Sequence, residues 1–196
     1  SYHMESHKPA GKIMICWQQG NIPAREFNMS MSLPVELSLR TFPEGPRLCF
    51  EPVRELLKLK KKCLIDIFGS IFSTESAINT ELERYSDQLM LVQLKVRTSS
   101  ECGIKIHGNE FIFKPAANVI KLNDIEFNPV EIFSEGAIFN VSMIIDVNSV
   151  EMFSANGRDY WPRQLDVNPQ ERGLRLSSGE GVIVEMIVHS LKSIWN

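Results

Sequence analysis

The chain has 196 residues, 43% of them hydrophobic, and a formal net charge of −3. That length sets one or two domains with enough apolar material for a sizeable core. The charge balance argues against a nucleic-acid partner, and no apolar run approaches the ~20 residues of a membrane helix.

Four cysteines, Cys16, Cys49, Cys63 and Cys102, are widely spaced. No Cys-x-x-Cys or His-Cys cluster accompanies them, so the spacing gives no zinc site, and no metal or cofactor is expected. Free, mostly buried thiols are the better reading than disulfides. Ser1-Tyr2-His3 ahead of Met4 reads as a cloning remnant.

In chain order, Lys12 to Trp17 is a short apolar strand, and Gln18 to Arg25, with Gly20 and Pro23, is a loop. Phe27, Met29, Met31 and Leu33 alternate with polar residues. After Pro34 the alternation resumes at Val35, Leu37 and Leu39, Pro43 to Pro46 turns the chain, and Arg47 to Phe50 returns as a strand. Pro52 to Leu59 predicts a helix, with Pro at a first-turn position and Val53, Leu56, Leu57 and the Lys60 stem on one face. Lys58, Lys60, Lys61 and Lys62 read as its solvated end rather than as an anion site.

From Cys63 onward the pattern is β. Alternation predicts a strand over Ile78, Thr80 and Leu82, and a stronger one over Met90, Val92, Leu94 and Val96. Two strands pair around Gly108-Asn109, and another spans 118–122. A strand over 137–147 is followed by Val150 to Phe153, which Asn156-Gly157 ends with a type I′ turn signal. The last strand carries Val182, Val184, Met186 and Val188. The expected fold is all-β: a two-sheet antiparallel β-sandwich over 63–196, preceded by a strand hairpin over 1–50 and a short helix over 51–62. The core is expected to include Met90, Val92, Leu94, Phe139, Val141, Met143, Ile145, Val182, Val184 and Met186.

Several of these stretches resemble the C-terminal part of family 32 of the glycoside hydrolases, the levanases, inulinases and invertases. Gly11 to Trp17 is similar to the strand that closes that family's catalytic propeller, with Cys16 in place of a usual Gly. Met31-Ser32-Leu33-Pro34-Val35-Glu36-Leu37-Ser38-Leu39 is similar to its Met-Ser-Leu-Pro-Arg-Glu-Leu-Thr-Leu run, and Pro52 to Leu59 to its linker helix. Asp146 to Phe153 resembles a late run in its C-terminal sandwich, and Val188 to Trp195 resembles its terminus. The resemblance implies that 1–50 is a remnant of the last propeller strands, 51–62 a linker helix and 63–196 the sandwich. It also implies a missing propeller domain as partner, and it fits a secreted or periplasmic parent.

Catalysis in that family uses two carboxylates about a fructosyl bond, one as nucleophile and one as acid. The nucleophile motif that the resemblance implies, Trp-x-Asn-Asp-Pro-Asn-Gly, is absent from this chain. Arg158-Asp159 is followed by Tyr160 rather than by Pro. Glu101-Cys102 lies in a turn without the acid/base motif's flanks, so both dipeptides read as coincidences. No catalytic residue is assigned. His107 and His189 read as residues on sheet faces rather than as metal ligands. Tyr160 and Trp161 form a candidate carbohydrate-stacking pair, against the plainer reading of a packing anchor. The implied function is a non-catalytic sandwich portion of a fructosidase, and the alternative is a stand-alone carbohydrate-binding, lectin-like module. Without their partner, residues 12–50 are expected to build an oligomer or to fray; fold-back onto the sandwich ranks behind both.

Overall fold

Period-two alternation dominates the chain, and a computed structural model shows it as antiparallel sheets; the model describes residues 11–19, 29–68, 75–86, 89–123, 125–127, 132–133, 136–154, 157–177 and 182–193. The N-terminal part holds β1 (Lys12–Met14), β2 (Trp17–Gln19), β3 (Met29–Met31), β4 (Val35–Phe42), β5 (Gly45–Pro52) and the single-turn helix α1 (Arg54–Leu57). Next come β6 (Lys60–Phe68), the helix α2 (Glu75–Glu83), β7 (Met90–Thr98), β8 (Cys102–Ile106), β9 (Asn109–Lys114), β10 (Val119–Leu122) and β11 (Ile125–Phe127). The remainder is β12 (Ile132–Phe133), β13 (Gly136–Ile145), β14 (Ser149–Ser154), β15 (Tyr160–Gln164), β16 (Leu174–Ser177) and β17 (Val182–Leu191).

Two sheets make the sandwich. The larger runs β15-β14-β13-β7-β17-β6 with β12 added beside β13, and the smaller runs β11-β10-β9-β8-β16. Alternate residues of each strand face the layer between them. Met90, Val92, Leu94, Phe139, Val141, Met143, Ile145 and Met186 of the larger sheet are buried there against Ile104, Phe111, Phe113, Ile120 and Leu174 of the smaller. Each such side chain contributes roughly 1.5–3 kcal/mol by leaving water. The side chains of Val182 and Val184, also expected in the core, lie outside the described residues. The pairing of β17 with β7 shifts between Ile183 and Glu185, a bulge that interrupts the alternation there.

Two expected turns are displaced: Phe42 pairs with Gly45, so Pro43 and Glu44 turn the chain and Pro46 stands in β5, and the turn after β8 shifts as well; Asn156 of the expected Asn156-Gly157 turn lies outside the described residues. Ile106 pairs with Asn109, so the two central residues of the β8–β9 turn are His107 and Gly108, one position earlier than expected. Both have positive φ, 51° and 86°, as a type I′ turn requires. His107 is therefore a turn residue rather than a sheet-face residue. It is buried, its Nδ1 accepts from the Gly173 amide at 3.0 Å, and its Nε2 lies 2.8 Å from the Asp146 carbonyl.

Three expectations are corrected. Residues 75–83 form α2, not a strand: Ile78 and Leu82 are four apart as well as alternate, and both are buried on one helix face under the sandwich. The linker helix spans only Arg54–Leu57; Pro52 belongs to β5, and Lys60, Lys61 and Lys62 stand in β6 rather than at a helix end. The strand expected over 12–17 is divided into β1 and the start of β2. All four cysteines are free, with Cys49 buried, Cys16 and Cys102 half-buried and Cys63 exposed.

The N-terminal strands form a three-stranded sheet, β1-β4-β5, and a two-stranded one, β2-β3. They lie against the outer face of the larger sheet, where Val35, Leu91, Ile144 and Phe153 form a second buried cluster with Leu33, Phe50, Tyr160 and Leu191 around it. Fold-back, ranked last from the sequence, is thus the arrangement within this chain. Ile13, Ile15, Trp17, Met29, Met31 and Leu39 nevertheless remain exposed, Trp17 at 58% and Leu39 at 74%.

Candidate functional site

Strand alternation decides where the candidate aromatic pair goes. Tyr160 and Trp161 are consecutive in β15, so their side chains leave opposite faces of the sheet. Trp161 turns inward, against Phe127 and the inter-sheet core. Tyr160 turns outward and stacks with Phe153 at 4.9 Å and Phe50 at 5.8 Å between ring centroids. The structure does not bring the two rings together as one platform.

The outward face of β14 and β15 is instead a polar and aromatic junction with the N-terminal strands. Its centre is Glu151, which is 3% exposed. Its Oε1 accepts from the Leu33 amide at 2.6 Å and from the Gln18 Nε2 at 3.3 Å, and its Oε2 accepts from the Tyr160 hydroxyl. A chain of amides and hydroxyls extends the network: Gln164 Nε2 donates to Ser30 Oγ at 2.9 Å, and Ser30 Oγ donates to Gln18 Oε1 at 2.9 Å. Ser32 fixes the neighbouring turn by accepting from the Cys16 amide at 2.8 Å.

Electrostatics at this junction are dominated by lost solvent. Burial pushes the Glu151 carboxyl above the ordinary carboxylate range, against the bonds from Tyr160 and Leu33 that pull it down; Asp146 raises it further. The Tyr160 phenol is also raised, first by burial and then by its bond to Glu151. At the hairpin tip, Arg158 pairs with Glu44 at 2.8 Å and lies 3.7 Å over the Phe42 ring. Gly157 adopts φ of +70°, and a Cβ there would stand 2.6 Å from the Phe50 carbonyl oxygen. Beside the junction is an apolar groove of about 300 Å³, lined by Leu33, Leu56, Leu91, Ile144 and Leu191, with Glu151, Asp146 and Lys192 at its polar margin.

The two carboxylates singled out from dipeptides are elsewhere. Glu101 precedes β8 and pairs with Lys114 at 3.2 Å. Asp159 accepts from the Ser154 hydroxyl at 2.8 Å, closing the turn between β14 and β15. Among the described residues, no group of three His, Cys, Asp or Glu side chains is placed to hold a metal ion. No helix among them is long and apolar enough to cross a membrane. Sequence reasoning missed Glu151: in Val150-Glu151-Met152-Phe153 it occupies the phase that ordinarily faces water. The only signal available was that Phe153, two residues on, shares its face.

No protein-family model matches the chain. A levanase of Bacillus sp. (strain L7) is 24% identical over 97% of this chain and 24% of its own length. A levanase of Bacillus subtilis (strain 168) is 25% identical over 91% of this chain and 30% of its own. The chain thus spans about a quarter to a third of the length of the curated relatives it matches. Among solved structures, the exo-inulinase of Aspergillus awamori superposes with a TM-score of 0.67 at 17% identity, over 94% of this chain and 41% of that one. A family 32 glycoside hydrolase of Bifidobacterium adolescentis gives 0.63 at 18%, over 94% and 30%. By sequence the chain is similar to a part of two levanases, and by fold it is similar to a part of solved structures that include a family 32 glycoside hydrolase.

Proposed function

We propose that this chain is the non-catalytic C-terminal portion of a family 32 enzyme, whose parent hydrolyses the β-fructofuranosidic bonds of sucrose, levan or inulin. Its role is to brace the catalytic propeller. One observation carries the reading: the N-terminal strands are held to the sandwich through Glu151, which meets Gln18 and the Leu33 amide, and through the buried cluster about Val35, while Ile13, Trp17, Met29 and Leu39 stay exposed. A sheet held in that way suits a relay between a rigid sandwich and a missing neighbour. The levanase similarity, which spans nearly all of this chain and only a fraction of the relatives, supports reading that neighbour as the rest of the same enzyme. A second copy of the chain would cover the same surface as a homo-oligomer.

The competing reading, a carbohydrate-binding module, needs an accessible aromatic platform. Trp161 packs against Phe127 on one side of β15 and Tyr160 stacks with Phe50 and Phe153 on the other, an arrangement that speaks against one shared platform. Calorimetric titration of the chain with sucrose, inulin and levan separates the two. The brace reading expects no saturable heat with any of them. Saturable binding that is lost in Tyr160→Ala would favour the module.

A further inference from the structure

The junction between the N-terminal strands and the sandwich is closed by a carboxylate that, among the described residues, has no cation bonded to it. Among the described residues, the hydrogen-bond partners of Glu151 are neutral: an amide N–H of the β3–β4 connection, the Gln18 side chain of β2 and the Tyr160 hydroxyl of β15. The titratable groups nearby are few. Tyr160 faces it from β15, and Asp146 at the end of β13 and Lys192 beyond β17 share the margin of the adjoining groove. The Cys16 thiol lies next to β2. We infer that Glu151 is a pH-sensitive latch, which holds β2 and β3 on the sandwich when neutral and loosens them when ionised.

Geometry accommodates the neutral form. A protonated Glu151 Oε2 can donate to the Tyr160 oxygen, which reverses the direction of the existing Glu151–Tyr160 bond and leaves the Tyr160 proton to turn toward the Ser32 side, the neighbour that also acts on the phenol. Leu33 and Gln18 continue to donate to Oε1, so neither of these donors is orphaned. The ionised form keeps the same three donors but puts a full charge in a site that is 3% exposed, near Asp146. The sign follows from linkage. A carboxyl whose folded value is raised contributes docking stability that is complete below its unfolded value and is lost as pH climbs through the folded one. The latch belongs to contacts within this chain, and it holds whatever activity the parent enzyme has.

Hydrogen exchange at the Leu33 amide is the direct test, because that N–H is itself a donor to Glu151. Protection, corrected for intrinsic exchange and referred to the β7 amides, is compared in mildly acidic and mildly alkaline buffer. The expected loss at Leu33 is on the order of tenfold for each unit by which the carboxyl is displaced, with β7 unchanged. Glu151→Gln keeps an acceptor for Leu33 and a donor for Tyr160, so it should stay docked and show no pH dependence. Equal pH dependence in Glu151→Gln, or none in the parent chain, overturns the latch. Carbon-13 titration of the Glu151 carboxyl in the unmutated protein gives a second reading that requires no variant. A midpoint above the ordinary range that coincides with the loss of Leu33 protection supports the latch; a midpoint in the ordinary range contradicts it.

Discussion

Tyr160 and Trp161 are adjacent in sequence and serve two different interfaces, so their truncation should have two different consequences. Trp161→Ala empties space between the sheets and should cost about 3–5 kcal/mol of global stability in urea unfolding. Tyr160→Ala removes a half-buried ring from the junction. It should cost less globally, about 2 kcal/mol, while protection of β3 is lost first. Equal global losses with β3 protection intact would mean that the junction is not an independent unit. The aromatic character of both residues was legible in the sequence, but their orientation was not, because Pro162 argues against a strand. β15 tolerates Pro162 as the edge strand of its sheet, where one row of N–H groups has no partner to lose. Glu151 was illegible for a related reason. Its burial comes from Leu33 and Gln18, which are 118 and 133 residues away in sequence. No local pattern encodes that cover.

Elements built from strong alternation were read almost to the residue, as in β14 and in the hydrophobic faces of β7 and β13. Those whose short apolar repeats fit two periods were not. In α2, Ile78 and Leu82 satisfy both a strand and a helix, and what selects the helix is an edge that needs covering. Asn79 supplies it: its side chain donates to the Leu176 carbonyl at 3.1 Å and accepts the Leu176 amide at 2.8 Å, taking the place of a further strand beside β16. Asn79→Ala should cost about 2 kcal/mol, two ordinary hydrogen bonds, in a denaturant titration, with faster exchange at Leu176. A change within a few tenths of the parent's stability would show that the clamp is dispensable. Met143→Asp tests the register of β13 more severely. It places an unpaired charge in the core, and a loss of several kcal/mol or failure to fold is expected. The alternation of β13 is wrong if the variant melts like the parent.

At the scale of the whole chain, the strands, the connector and the sandwich each carry local motifs that a sequence displays. How the first part sits on the second was not legible. An exposed row of Ile13, Ile15, Trp17 and Met31 looks the same in sequence whether its other face is docked or bare. That row should drive association when its neighbour is missing. Sedimentation of the purified chain is expected to show a concentration-dependent dimer or larger species. The double change Ile13→Glu and Trp17→Glu should return it to monomer without altering the sandwich; a parent chain that is monomeric at high concentration would contradict this use of the face. On the proposed function, the chain contributes structure and not chemistry to the parent enzyme's fructoside hydrolysis. The initial rate of fructose release from sucrose, inulin and levan by the purified chain decides this. A rate at background, unchanged in Glu101→Gln and Asp159→Asn, is expected; sustained turnover that either substitution abolishes would show that the chain is itself a catalyst.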